Sequence, residues 1–192
     1  MGNQRMIRVL LKYQKSIGRK VLGLYYKYYL RSLGCKVGKN FKCLGFIHFR
    51  EVPEGNFVIG DNVAIGRHCT FEITPSGKLI LEDNSVVGDN VMMSSLEKIR
   101  VGRWTGIAEN VSIRDAFHLL DKGSLYQLQG SVSQAIDIGE DVVLGAGTAV
   151  LKGAVIPNGV IVGSNSVVTG NSEMEAFGIY AGQPARLIKL RS

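Results

Sequence analysis

Residues 138–169 read IGEDVV LGAGTA VLKGAV IPNGVI VGSNSV VT, and an aliphatic residue opens every block of six: Ile138, Leu144, Val150, Ile156, Val162 and Val168. A period of six matches neither the two-residue alternation of a lone strand nor the 3.6-residue turn of a helix. It is the mark of a parallel β-helix, whose short strands form the flat walls of a coil. Three hexads make one triangular turn, so Ile138 should stack against Ile156. Outward from this stretch the same ruler fits Ile59 (IGDNVA IGRHCT), Leu81 (LEDNSV VGDNVM) and Val101 (VGRWTG IAENVS), and more loosely Val37. Residues 59, 81 and 101 are therefore expected on one wall. The residue two places before an opening aliphatic should also point inward: Val63, Cys69, Val111, Thr148, Ala154, Val160 and Ser166. At the corners Gly and Asn tolerate positive φ, and Asp or Asn side chains should bond the next backbone N–H groups.

The chain has 192 residues, with 24 glycines against 4 prolines, which suits a fold of many tight corners. Its net charge of +7 is unevenly spread: residues 1–50 hold twelve of the 23 Lys and Arg and none of the 16 Asp and Glu. A basic leader on an acidic body points to a locally anionic partner and away from a nucleic-acid-binding fold. No apolar run is long enough to span a bilayer as a helix. No secretory leader is evident, and the odd set Cys35, Cys43 and Cys69 has no metal-type spacing, so reduced thiols in the cytoplasm are expected.

Two segments are expected: a basic amphipathic helix within 1–34, and a β-helix domain over 35–190 with an excursion at 115–137. In the leader, Ile7, Leu10, Leu11, Ile17, Val21, Leu24, Tyr25 and Tyr28 follow helical spacing with basic residues between them. That stripe either packs on the body or another subunit, or rests on an anionic lipid surface at the inner face of the membrane. Gly34 is placed to end the helix.

A regular coil makes no site by itself, so chemistry is sought where regularity breaks. The excursion opens IRDAFHLL. Of three histidines, His48 lies in the irregular early coils, His68 within a hexad, and His118 alone on the excursion. An imidazole there suits a general base at neutral pH, and Asp115 could hold its other ring nitrogen. A plain polar loop residue is the alternative. The histidines are too far apart in sequence for a zinc site, so no metal is expected.

The hexads, the excursion histidine, IDIGEDVVLGAGTAVLKGAVIPNGVIVGSNSVVT and AGQPARLIK resemble the left-handed β-helix acetyltransferases. The branch they most resemble comprises the sugar O-acetyltransferases of capsule, O-antigen and exopolysaccharide loci. The resemblance covers about residues 35–190 and implies the left-handed coil. It also implies a homotrimer with sites between adjacent β-helices, and acetyl-CoA as donor to a sugar or lipid-linked saccharide. His118 matches the family base, and Ser94 or Ser95 could supply the oxyanion donor. Ala146 and Ser164 match the positions lining the pantetheine arm, where Gly145, Gly147 and Gly163 would also keep the wall open. Thr169 matches the threonine of the family's VTK segment, and Arg186 and Lys189 match basic residues facing the coenzyme phosphates. The chain departs from the family at Val143, where Trp is usual, and at Gly170, where Lys is usual. Acylation of another small molecule (amino sugar, serine, antibiotic) and a non-catalytic β-helix scaffold stand as the other readings.

Overall fold

A computed structural model describes residues 20–192 of the chain; the expected helix over 4–19 lies outside the described residues. The architecture is an all-β parallel solenoid of three walls, preceded by a helix over 20–32 and consistent with a left-handed coil. The first wall stacks Lys36–Val37, Phe57–Ile59, Leu79–Leu81, Ile99–Val101, Ile136–Ile138 and Val155–Ile156. The second begins at Lys42–Cys43 and ends with Ile161–Val162, Gly178–Ala181 and Arg186–Leu190. The third stacks His48–Phe49, Thr70–Ile73, Met92–Ser95, Ser112–Arg114, Ala149–Leu151 and Val167–Val168.

The hexad ruler gives the register. Ile59 pairs with Leu81, Leu81 with Val101, Val101 with Ile138, and Ile138 with Ile156. All five are buried, as are Val63, Cys69, Val111, Thr148, Ala154, Val160 and Ser166. Such an interior column stabilises by about 1.5–3 kcal/mol per fully buried aliphatic side chain. Corner asparagines do take positive φ, among them Asn62, Asn84 and Asn165. Their Asp neighbours, however, bond across coils and not locally. Asp61 Oδ1 accepts the Lys39 N–H (2.6 Å), Asp83 Oδ1 that of Asp61 (2.7 Å), and Asp89 Oδ1 that of Arg67 (2.7 Å). Each carboxylate thus supports the coil before it.

Both ends of the solenoid are covered. At the start, the helix lays Tyr26 and Leu30 on the first coil, and the Tyr26 hydroxyl accepts the Ile47 N–H (2.8 Å). Gly34, at φ 79°, ends the helix as expected. At the finish, Arg186–Leu190 folds back antiparallel on Gly178–Ala181. The excursion is a hairpin: Ala116–His118 pairs antiparallel with Ser131–Ser133, and the wall resumes at Ile136.

Candidate active site

The hairpin leaves the third wall directly after Arg114, whose wall partners are Ser94 on one side and Leu151 on the other. Three contacts fix its base. Asp115 turns inward, Gly153 N–H donates to the Gln134 carbonyl (3.0 Å), and Lys152 Nζ lies 4.6 Å from the centre of the Phe117 ring. His118 stands exposed beyond that base, pairs with Ser131, and has the Tyr126 ring edge-on at 6.0 Å. Gln129 closes the loop beyond it by hydrogen bonds to Asp121 and Ser124.

Asp115 does not meet His118. Its side chain is fully buried and accepts from Leu96 N–H (Oδ1, 2.7 Å), Glu97 N–H (Oδ2, 2.9 Å) and Ser95 Oγ (Oδ2, 3.1 Å). A carboxylate so occupied shapes the wall exit and leaves the imidazole to other partners. The expected Asp115–His118 bond is therefore corrected to a structural role for Asp115. Neither expected oxyanion hydroxyl is available as it stands. Ser95 Oγ has a second acceptor in reach, the Lys78 carbonyl (3.0 Å), so its one proton is held between that carbonyl and Asp115, and Ser94 Oγ donates to Glu72 Oε2 (2.9 Å).

Ala146 and Ser164 stack at the corner between the second and third walls, where Asn165 N–H donates to the Ala146 carbonyl (2.8 Å). The neighbouring glycines serve coil packing, not ligand clearance. A Cβ on Gly145 would stand 2.5 Å from the Ser164 nitrogen, and one on Gly147 would run into the Asn165 side chain. Arg186 joins this corner, since its wall partner is Ala181, next to Gly163. Lys189 does not: it pairs with Ile179, three residues farther along its strand, or about 10 Å away. Thr169 lies at the opposite end of the third wall, in a turn with Ser172 (Oγ to Oγ 3.3 Å; Thr169 N–H to Ser172 Oγ 3.0 Å). Val143 is exposed on the second wall, and Gly170 is open to solvent.

Within one chain, His118 and the Ala146–Ser164 corner therefore lie at opposite ends of the third wall's strands. Sequence reasoning missed Tyr126 and Lys152. Both act across the excursion, where no hexad period signals a contact.

No family model matches the chain. The putative lipopolysaccharide biosynthesis O-acetyl transferase WbbJ of Escherichia coli K12 is 35% identical over 144 residues, covering 71% of this chain and 72% of that protein. The chain belongs to the hexapeptide-repeat acetyltransferase family. It is an acyltransferase, and its chemistry is acetyl transfer in polysaccharide biosynthesis. A second relative is the dTDP-4-amino-4,6-dideoxy-D-glucose acyltransferase of E. coli, 26% identical over 170 residues, 85% of this chain and 86% of that protein. The fold matches that of AntD, an N-acyltransferase from Bacillus cereus solved with dTDP and coenzyme A. The TM-score is 0.71 at 24% identity, covering 86% of this chain and 90% of that one.

Proposed function

We infer that the chain moves the acetyl group of acetyl-CoA to a sugar hydroxyl of a surface polysaccharide or its lipid-linked precursor, with His118 as general base. The carrying observation is the position of His118: exposed, on a hairpin anchored by Asp115 and Lys152, where the regular wall gives way. In the step, an imidazole nitrogen takes the hydroxyl proton as the sugar oxygen bonds to the thioester carbonyl carbon. The tetrahedral intermediate then collapses, the C–S bond breaks, and the imidazolium returns its proton to the coenzyme thiolate. General-base assistance of this kind supplies about 10²–10⁴-fold. The Ser94 and Ser95 hydroxyls are already bonded, which leaves another donor (a backbone N–H group, a hydroxyl on the hairpin itself or a group from a second copy) to hold the oxyanion.

A homotrimer with sites between adjacent solenoids fits the separation of His118 from the Ala146–Ser164 corner, because a neighbouring copy can bring one to the other. In that arrangement Ala146 and Ser164 border the pantetheine arm and Arg186 meets a coenzyme phosphate. Thr169 and Lys189 sit farther from that corner and contribute less. No helix among the described residues is long and apolar enough to cross a membrane. Cytoplasmic placement, with peripheral attachment through residues 1–31, belongs to the same proposal.

Amino-sugar N-acylation is the second reading, favoured by the relative that acylates a dTDP-amino sugar. The test is acetyl-CoA turnover with hydroxyl and amino-sugar acceptors for the wild type and His118→Ala. A loss of about 10²–10⁴-fold with the fold retained is expected. Unchanged turnover removes His118 from the mechanism, and the absence of any thermal shift with acetyl-CoA would remove acetyl-CoA as the donor.

A further inference from the structure

The helix over 20–32 has two apolar faces, and only one is covered. Tyr26 and Leu30 are buried on the first coil, and Gly23 rides so close to it that a Cβ would stand 2.8 Å from the Phe41 carbonyl. The other face carries Val21 (61% exposed), Leu24 (53%), Tyr25 (58%) and Tyr28 (68%), at the one-turn spacing that puts them on one side. The part of the expected stripe that lies in the described residues, Val21 to Tyr28, thus faces away from the body of its own chain.

Beside it runs a groove of about 850 Å³ between the helix and the first coil, lined by Lys20, Lys27, Lys39 and Lys42 over Leu24 and Phe41. None of these lysines forms a salt bridge among the described residues. Lys27 donates to the Gly38 carbonyl (2.7 Å), which fixes its position without neutralising it. Asp61, the carboxylate bonded to this coil, accepts the Lys39 backbone N–H. The groove therefore concentrates positive charge at the edge of an exposed apolar stripe. Residues 1–19 add five basic and no acidic side chains, so they do not supply the complementary charge.

We propose that the exposed face of the 20–32 helix, together with this four-lysine groove, docks the enzyme on an anionic lipid bilayer. Phosphate headgroups enter the groove, and Val21, Leu24, Tyr25 and Tyr28 settle at the headgroup–acyl boundary. The inference deepens the membrane part of the proposed function and adds a component on the first coil, outside residues 1–31. His118 leaves the fourth coil, three coil spacings or about 14 Å along the axis, so docking and catalysis are separable.

The experiment is co-sedimentation of the full chain with phosphatidylcholine vesicles, with and without about a third of phosphatidylglycerol. Wild type and Lys39→Glu/Lys42→Glu are compared, and turnover on a soluble acceptor is measured in parallel. Wild type should sediment only with the anionic vesicles and be released by salt. The double variant should bind at least about tenfold more weakly while keeping its turnover. Equal binding to both vesicle types, or equal binding by both proteins, overturns the proposal. So does binding of inorganic phosphate without vesicle binding, which makes the groove a soluble-phosphate site. A changed sedimentation coefficient of the lipid-free variant also overturns it, assigning the face to a second copy. Loss of turnover in His118→Ala with vesicle binding intact separates the two proposals.

Discussion

Asp115 Oδ1 accepts the backbone N–H of Leu96 at 2.7 Å, tying the exit of one coil to the preceding coil. Together with the bonds from Glu97 N–H and Ser95 Oγ, this makes the carboxylate a keystone for the hairpin that carries His118. Asp115→Ala leaves the Leu96 and Glu97 N–H groups without their acceptor, while the Ser95 hydroxyl keeps the Lys78 carbonyl. Each unsatisfied group costs about 1–3 kcal/mol, so a clearly lowered unfolding midpoint is expected in urea. If Asp115 instead tuned His118, the pH–rate profile of Asp115→Asn would shift; we expect its midpoint to stay in place while kcat falls.

Arg186 and Lys189 should separate. Arg186 adjoins the Ala146–Ser164 corner, whereas Lys189 lies three residues along the strand. Charge-assisted bonds to phosphate contribute about 1.5–3 kcal/mol. Steady-state kinetics should show Arg186→Ala raising KM for acetyl-CoA roughly tenfold or more with kcat held. Lys189→Ala should stay within about twofold of wild type. Equal effects would place the phosphates elsewhere.

Lys152 over the Phe117 ring holds the hairpin to the corner below it. Removing the cation in Lys152→Met forfeits about 0.5–1 kcal/mol. Amide exchange in 116–133 should speed up, with global unfolding nearly unchanged and kcat lowered a few-fold. Unaltered exchange in the hairpin would show that Gln134 and Asp115 suffice.

Burial pushes the thiols of Cys43 and Cys69 up to about 11, from an ordinary value near 9.0. The folded state thus keeps both protons after the unfolded state has begun to lose them. Their contribution to stability is constant below about pH 9 and declines as pH rises from 9 toward 11. Unfolding measured across that range should fall less steeply in Cys43→Ala/Cys69→Ala than in wild type. Thiol-reactive labels should modify these residues at pH 8 only in denaturant.

Much of the fold was legible because a wall position repeats its chemistry every coil. Ile138, Ile156 and Val101 share one environment, so their spacing is itself structural information. His118 was legible as the lone histidine outside the repeat. Its surroundings were not. Tyr126 meets its ring and Lys152 meets the neighbouring Phe117 ring across a hairpin whose register no period sets, and Asp115 was misassigned because closeness in sequence hid a reversal of direction at the wall. The two faces of the 20–32 helix were equally opaque, since both are apolar and only the docked coil distinguishes them.

The antiparallel return of Arg186–Leu190 also sets how large the molecule can be. A parallel solenoid presents the same hydrogen-bonding edge at its last coil as at every earlier one, and a second molecule could continue the stack from there. A strand running backward offers that newcomer the wrong polarity. Deleting residues 186–192 should uncover the Gly178–Ala181 edge and, because the helix over 20–32 still covers the other end, join particles tail to tail in pairs that stop there, visible by light scattering and electron microscopy.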